Sequence, residues 1–315
     1  MVVVQKLAKH LGVDVVDLVA SMNKAPQAYK VFNIKKRNGA KRLIAQPSPF
    51  VKRVQRGIVE VFLSEFDNSK STMAYGEGLS IKDNAVSHAG AKYLLKMDFK
   101  NFFPSIKPKD LFDLVEFSES KLNGFDKLFL SRYLFRQTET GLELSVGAPS
   151  SPMLSNIIMM KFDVELEDYC KGASIIYTRY ADDLTFSSDS YETLNAVKIF
   201  VEQLTASISF PSISINESKT RFVGKGRSQR VTGVILTHDG GVSVGRSLRK
   251  KIRGMLHLYA NGKLKKANIP YLHGVVSHMR NIEPEYFDKI LNIHDEELFN
   301  RLARQSYSIG KIKRN

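Results

Sequence analysis

Apolar positions recur along the chain with two periods, and most of its elements follow from them. Val4, Leu7, Leu11 and Val15 fall at helical spacing and predict a helix or helix pair over 1–20. Two short runs over 28–46 predict a hairpin, turned at Asn38-Gly39, where both residues tolerate positive φ. Val51, Val54, Ile58 and Val61 share one face of a helix predicted over 49–66, with Pro49 in its first turn. Residues 68–90 are polar and read as a loop or short helix, whereas 92–98 is a short apolar run ending in a carboxylate, the pattern of a buried strand. Further on, the pattern predicts two helices over 108–135 and a short hairpin over 137–146. One helix follows over 152–168, on Leu154, Ile157, Ile158, Phe162 and Leu166. Two apolar strands then flank Ala181-Asp182-Asp183, followed by a helix over 191–207 and a hairpin across His238-Asp239-Gly240-Gly241. From Ser247 onward the chain reads as mostly helical. No repeat or low-complexity linker divides it.

Charge adds the division that hydrophobicity lacks. The 315 residues carry a net +15, split as +9 over 1–60, −7 over 61–218 and +13 over 219–315. Basic ends around an acidic centre point to a polyanion partner, with a basic surface of no dedicated purpose as the alternative. The 43% hydrophobic share supports a core. The single cysteine, Cys170, excludes an internal disulfide, Cys-rich zinc modules and ligation of an iron–sulfur cluster by several thiolates. No apolar run reaches the roughly 18 residues of a membrane span, and the first residues lack a signal-peptide pattern. The expectation is a soluble cytoplasmic protein with no membrane partner. Trp is absent, and 12 Tyr and 19 Phe are available for stacking or for the core.

Three carboxylates carry the candidate chemistry. Asp98 ends an apolar strand, and Asp182 and Asp183 sit on the turn between two others. A carboxylate at the end of a buried strand is costly without a partner, and adjacent acids repel unless a cation neutralises them. Three such groups on neighbouring strand ends could hold two Mg²⁺ ions for in-line phosphoryl transfer. Taken alone, Asp-Asp also reads as a polar turn. The first hairpin bears Lys35, Lys36, Arg37, Lys41 and Arg42, which suit phosphate contact or the protection of an edge strand by charge.

These acids do not stand alone. Tyr180-Ala181-Asp182-Asp183 follows Asp98-Phe99-Lys100-Asn101-Phe102-Phe103, with Gly147-Ala148-Pro149-Ser150-Ser151-Pro152 between them. In this order the chain resembles a reverse transcriptase. The resemblance implies an α+β fold, a right-hand polymerase of fingers, palm and thumb. An N-terminal helix and fingers would occupy 1–90. A palm of antiparallel sheet flanked by helices would occupy 91–225, with a fingers segment interleaved at about 108–146. The end of the palm and a mainly helical, RNA-binding thumb would fill 226–315. Asp98, Asp182 and Asp183 match the catalytic aspartates that bind two Mg²⁺, joined by the backbone carbonyl of Phe99. Lys41 and Arg42 match cations that hold triphosphate. Phe103 matches the bulky residue that crowds the sugar 2′ position and favours deoxynucleotides, though core packing also suits it. Gly147 and Ala148 match a segment passing close under nucleotide or primer. Lys219 matches a lysine near the leaving pyrophosphate, as general acid or charge partner, and also reads as a surface lysine. The usual Pro-Gln before the glycine is Ser145-Val146 here, so a glutamine contact to nucleotide is missing or replaced.

Two further pieces resemble the bacterial retron branch: Asn84-Ala85-Val86-Ser87-His88 before the first catalytic strand, and Val231-Thr232-Gly233 after the palm. Asn84 and His88 fall i, i+4 on a possible helix face, placed to bond each other or RNA. The retron resemblance implies a cognate structured noncoding RNA serving as template and primer. DNA would start at the 2′-OH of an internal guanosine and give a branched RNA–DNA product from dNTPs. An effector protein and antiphage defence are implied as well. The alternatives are an intron- or diversity-element enzyme priming from a 3′-OH, and a non-catalytic RNA-binding scaffold. Arg246, Arg249, Lys250, Lys251 and Arg253 place cations on one helix, suited to an RNA backbone. Lys263, Lys265 and Lys266 add a basic turn. Tyr259 and Tyr271 suit stacking or core, and Lys311, Lys313 and Arg314 suit a contact or a frayed tail.

Overall fold

The computed structural model describes residues 2–312 apart from 36–38, 77 and 119–121. The first helices and hairpin are α1 (Val2–Leu11), α2 (Val15–Met22), β1 (Tyr29–Lys35), β2 (Lys41–Pro47), α3 (Pro49–Val61) and α4 (Ile81–Ser87). After β3 (Tyr93–Asp98) come the helical turn α5 (Phe102–Ser105), α6 (Pro108–Phe117), α7 (Gly124–Leu134), β4 (Arg136–Thr138) and β5 (Gly141–Glu143). Then follow α8 (Ser151–Ile158), α9 (Met160–Gly172), β6 (Ile176–Tyr180), β7 (Asp183–Ser188), α10 (Tyr191–Ser207) and β8 (Arg221–Gly224). The remainder is β9 (Arg230–Val231), β10 (Val234–Leu236), β11 (Val242–Ser243), α11 (Arg246–Ala260), α12 (Ile269–Ile282), α13 (Pro284–Leu291) and α14 (Glu296–Ile312). The turn expected at Asn38, with Lys36 and Arg37, lies outside the described residues, as do Lys313 and Arg314.

Two compact units form: 1–79 with 93–222, and 80–92 with 223–315. In the first, strands β6, β7 and β3 lie side by side in that order and carry α9 and α10; β8 follows β3 in the sheet order. Helix starts follow local chemistry. Asp14 accepts the Val16 N–H at 2.7 Å, and the Ser190 hydroxyl accepts that of Thr193 at 3.1 Å, each satisfying a free first-turn donor. Helix α1 buries Val3, Val4, Leu7 and Ala8 against α3. Gly57 permits that approach, since a Cβ there would lie 2.7 Å from Leu7 Cδ1. Leu7 is fully buried, so truncating it to alanine costs about 2–5 kcal/mol.

The helix expected over 152–168 is two helices, broken at Met159. Asn156 and Asp163, one on each side of the break, both reach one buried guanidinium. The division expected at residue 90 also differs. Residues 80–92 belong with the C-terminal unit, because α4 packs on the small sheet β11-β10-β9. Thr232 Oγ1 donates to the Ile81 carbonyl at 3.2 Å, and Gln229 Nε2 to that of Lys92 at 3.0 Å. Thr232 and Gly233, with φ of 47° and 90°, form the tight turn from β9 to β10. The hairpin expected across 238–241 is present as β10 and β11, with β9 as a third strand. Helices α11 to α14 complete this unit around Ile252, Leu256, Leu272, Met279 and Leu302.

Candidate active site

The register of one sheet brings the three acids together. Across the β6–β7 hairpin Tyr180 pairs with Asp183, leaving Ala181 and Asp182 to make the turn. Across β3 and β7, Asp98 pairs with Asp183. The Asp182 carbonyl accepts the Phe99 N–H at 3.1 Å, which ties the turn to the end of β3. The Asn216 N–H donates to the Asp98 carbonyl at 2.7 Å. Three residues on, Lys219 sets its Nζ 2.7 Å from both carboxylate oxygens of Asp98.

Crowding these acids has an electrostatic cost. Burial raises the Asp183 carboxyl to about 6, and the neighbouring Asp182 adds to the rise while Lys96 opposes it. Burial, then the charge of Asp98, raises Asp182 as well. The site is therefore short of positive charge. Its donors are all carboxylate oxygens, which fit a hard divalent cation such as Mg²⁺, and the Lys219 ammonium stands where positive charge is wanted. Among the described residues no three His, Cys, Asp or Glu side chains are already gathered as a ligand cage.

The acids open onto a cavity of about 740 Å³. Of the residues singled out in the sequence, Lys41, Arg42, Asp98, Phe99, Phe103, Gly147, Asp182 and Lys219 all line it. Asp183 stands behind, paired with Asp98. Phe103 is half-buried with its ring edge-on to Phe102, at 5.4 Å and 67°. Gly147 lines the cavity and also backs onto a neighbouring strand. Its φ is +120°, and a Cβ would lie 3.0 Å from the Ala45 carbonyl oxygen. The Ala45 N–H donates to the Val146 carbonyl at 2.8 Å. The close approach that calls for glycine is thus to strand β2.

Lys52, Arg56 and Tyr75 line the cavity as well. Lys52 and Arg56 lie one turn apart on the polar face of α3, and their i, i+4 spacing is the signal in the sequence that marks them. Tyr75 is exposed, with φ 63°, and its ring lies 6.5 Å from that of Tyr180. Partial desolvation of its hydroxyl, where it faces the cavity wall, raises its phenol pKa, helped by Tyr180 and Asp182 and opposed by Arg42. Nothing in its local sequence announced it.

In the second unit the expected RNA contacts sort into two groups. Asn84 and His88 are fully buried, so neither presents its side chain to a ligand. Burial pushes the His88 imidazole down to about 3. Arg249 is half-buried and committed. Its guanidinium reaches Glu283 at 2.6 and 2.7 Å and lies 4.4 Å from the centre of the Tyr286 ring. Arg246, Lys250 and Arg253 remain exposed at helical spacing on α11. Tyr259 is buried and donates to Gln305, whereas Tyr271 is exposed beneath the Lys251 ammonium.

Comparison with known proteins gives these features a context. The family described as "Reverse transcriptase (RNA-dependent DNA polymerase)" matches residues 34–236. The chain is 36% identical over 282 residues to the Retron Ec83 reverse transcriptase of Escherichia coli, covering 88% of this chain and 90% of that protein. It is 31% identical to the Retron Mx65 reverse transcriptase of Myxococcus xanthus, covering 83% of this chain and 63% of the other. Among solved structures it is similar to apo telomerase from Candida tropicalis truncated from its C-terminal domain. That similarity has a TM-score of 0.48 and 14% identity, covering 72% of this chain and 58% of the other. No described helix is long and apolar enough to cross a membrane.

Proposed function

The chain belongs to the retron branch of the reverse transcriptases and is an RNA-directed DNA polymerase, and from that premise we propose that it works with two Mg²⁺ ions on a cognate structured noncoding RNA. The observation that carries this reading is the convergence of Asp98, Asp182 and Asp183 at one end of a sheet, beside a cavity lined with cations. The three carboxylates and the backbone carbonyl of Phe99 would hold the metal, which when bound activates the attacking hydroxyl and stabilises the leaving oxygen. Lys41 and Arg42 hold the triphosphate of the incoming dNTP, with Lys52 and Arg56 available in the same cavity. The Phe103 ring leaves no room for a 2′-hydroxyl, and Gly147 keeps β2 seated against the cavity lining. Lys219 neutralises Asp98 at rest and can give its proton to the departing pyrophosphate.

The RNA serves as both template and primer. DNA starts from the 2′-OH of an internal guanosine and leaves a branched RNA–DNA product, the msDNA of a retron. What supports this is the match to retron reverse transcriptases over most of the chain, together with the exposed cations of α11. The enzyme acts in the cytoplasm, alongside an effector protein in antiphage defence. The test is to purify the chain with the nucleic acid it carries and sequence that material. A 2′–5′ branch joining RNA to DNA is expected. Linear extension from 3′ ends alone would overturn the priming reading, and loss of all synthesis on changing Asp182 and Asp183 to Asn would leave the polymerase reading in place.

A further inference from the structure

Among the described residues the largest fully buried side chain is a charged one, Arg179 on β6, three residues before Asp182. All five of its N–H donors find acceptors. Nε and one Nη hold the Asp163 carboxylate at 2.6–3.1 Å. That Nη also reaches Thr72 Oγ1 at 3.0 Å. The other Nη is shared between Asn156 Oδ1 and the backbone carbonyl of Ala181, each at 3.2 Å. Asp163 is saturated in turn, accepting the Tyr177 hydroxyl at 2.7 Å and that of Thr72 at 3.3 Å. The backbone of Arg179 is gripped as well. Its N–H donates to the Ser71 carbonyl and its carbonyl accepts the Met73 N–H, both at 2.8 Å.

Stability alone is a poor reason for such a cluster. Desolvating two ions offsets most of their attraction, and well-packed apolar groups in their place are often as stable or more so. What apolar groups do not do is fix the direction of a carbonyl. The Ala181 carbonyl belongs to the peptide that leads into Asp182. Ala181 itself is left-handed, φ 56°, a conformation that costs an alanine about 1–2 kcal/mol. The next carbonyl, that of Asp182, is held by the Phe99 N–H. The turn is thus gripped at two successive carbonyls, one from the buried cluster and one from β3. The same cluster holds the loop that carries Tyr75 to the cavity, since Asn156 Nδ2 donates to the Ala74 carbonyl at 2.8 Å.

We propose that Arg179, anchored by Asp163, is a positioning residue for DNA synthesis. It orients the Ala181–Asp182 turn, and through it the Asp182 and Asp183 carboxylates, without touching substrate. The proposal rests on the reading of those two acids as the reacting site. A planar fork is what the geometry requires. An ammonium keeps the charge beside Asp163 but cannot also span Asn156, Thr72 and the Ala181 carbonyl.

The test compares Arg179→Lys with the unchanged protein on an RNA template annealed to a DNA primer, counting activity per folded molecule. The expected result is a kcat lower by about tenfold to a hundredfold, as a displacement of about 1 Å in a reacting group produces. KM for dNTP and affinity for the duplex should stay as they were. Hydrogen exchange at the Phe99 amide should quicken, because its acceptor is the Asp182 carbonyl. A purely structural arginine would lower the unfolding temperature and leave kcat and Phe99 exchange unchanged, and that result overturns the proposal. If Arg179→Lys does not fold, Asp163→Asn, which keeps shape and loses charge, carries the same comparison. Asp182→Asn run in parallel separates the two ideas. Synthesis retained there removes the catalytic reading itself, whereas an inactive Asp182→Asn beside a fully active Arg179→Lys removes only this inference.

Discussion

Lys219 lays its ammonium across both carboxylate oxygens of Asp98, 2.7 Å from each, and so occupies the acid that a metal would need. The contact reaches across the sheet edge, and the Asn216 N–H on the Asp98 carbonyl places it. Changing Lys219 to Ala removes a competing cation and a proton donor together. Binding of Mn²⁺ to the free protein, followed by electron paramagnetic resonance, should therefore tighten. The rate of nucleotide addition should fall by about 10²-fold or more if the ammonium protonates pyrophosphate. Unchanged rate with tighter Mn²⁺ binding would leave Lys219 only its electrostatic part.

The double change Asp182→Asn with Asp183→Asn should abolish DNA synthesis while raising the unfolding temperature in chelating buffer. Both acids are held above the ordinary carboxylate range by burial and by neighbouring acids. Neutral side chains of the same shape relieve that repulsion. Calorimetry with and without chelator checks the second half. A fall in unfolding temperature would mean that these acids are not in conflict in the metal-free protein.

Phe103 lines the cavity with its ring fixed edge-on to Phe102. Shortening it to Val opens space where a sugar 2′-hydroxyl would sit. Discrimination of dNTP over rNTP, taken as the ratio of kcat/KM values, should fall by about 10–100-fold, the scale of steric exclusion of one small group. A ratio that does not move assigns Phe103 to packing alone.

Much of this fold is legible from local pattern, because helix caps and strand alternation are local physics. Asp14, Ser48 and Ser190 sit just before helices, as capping requires. Asp98 and Asp182-Asp183 stand out as carboxylates at the ends of apolar strands. What escapes is decided by contacts distant in sequence. Arg179 reads as one polar residue in a strand, yet its acceptors come from residues 72, 156, 163 and 181. Asn84 and His88 have a spacing that suits either an exposed face or a buried one, and only the packing of α4 on β9, β10 and β11 decides for burial. Gly147 shows the same limit: the need for a small residue was visible, but the neighbour that imposes it was not.

The cations of α11 divide into two settings. Arg246, Lys250 and Arg253 are exposed on one face, whereas Arg249 is tied to Glu283 and stacked on Tyr286. Changing the first three to Ala should weaken RNA binding and lower the slope of log affinity against log salt by about 2 to 3. Changing Arg249 alone should leave that slope in place and lower the unfolding temperature, since it strands the buried Glu283. Salt titrations of RNA affinity, with melting curves for each variant, separate the two. The reverse outcome would show that Arg249 faces RNA.

Buried His88 should make the C-terminal unit sensitive to acid. Its imidazole is pushed from 6.5 down to about 3 by burial. The strands packed on α4 bring one titratable side chain, the exposed Arg230. Above pH 6.5 the ring is neutral in both folded and unfolded chains, and its contribution to stability is complete. As the pH falls from 6.5 towards 3, the unfolded chain takes a proton that the folded one refuses. Stability then drops by about 1.4 kcal/mol per pH unit from this group, and the loss levels off below 3. His88→Gln cannot titrate. It should lower stability at pH 7.5 through poorer packing, yet flatten the dependence between pH 6.5 and 4 relative to the unchanged protein. Denaturation midpoints across that range give the comparison. Parallel curves for the two proteins would mean that His88 does not govern acid sensitivity and that its burial is relieved before it charges.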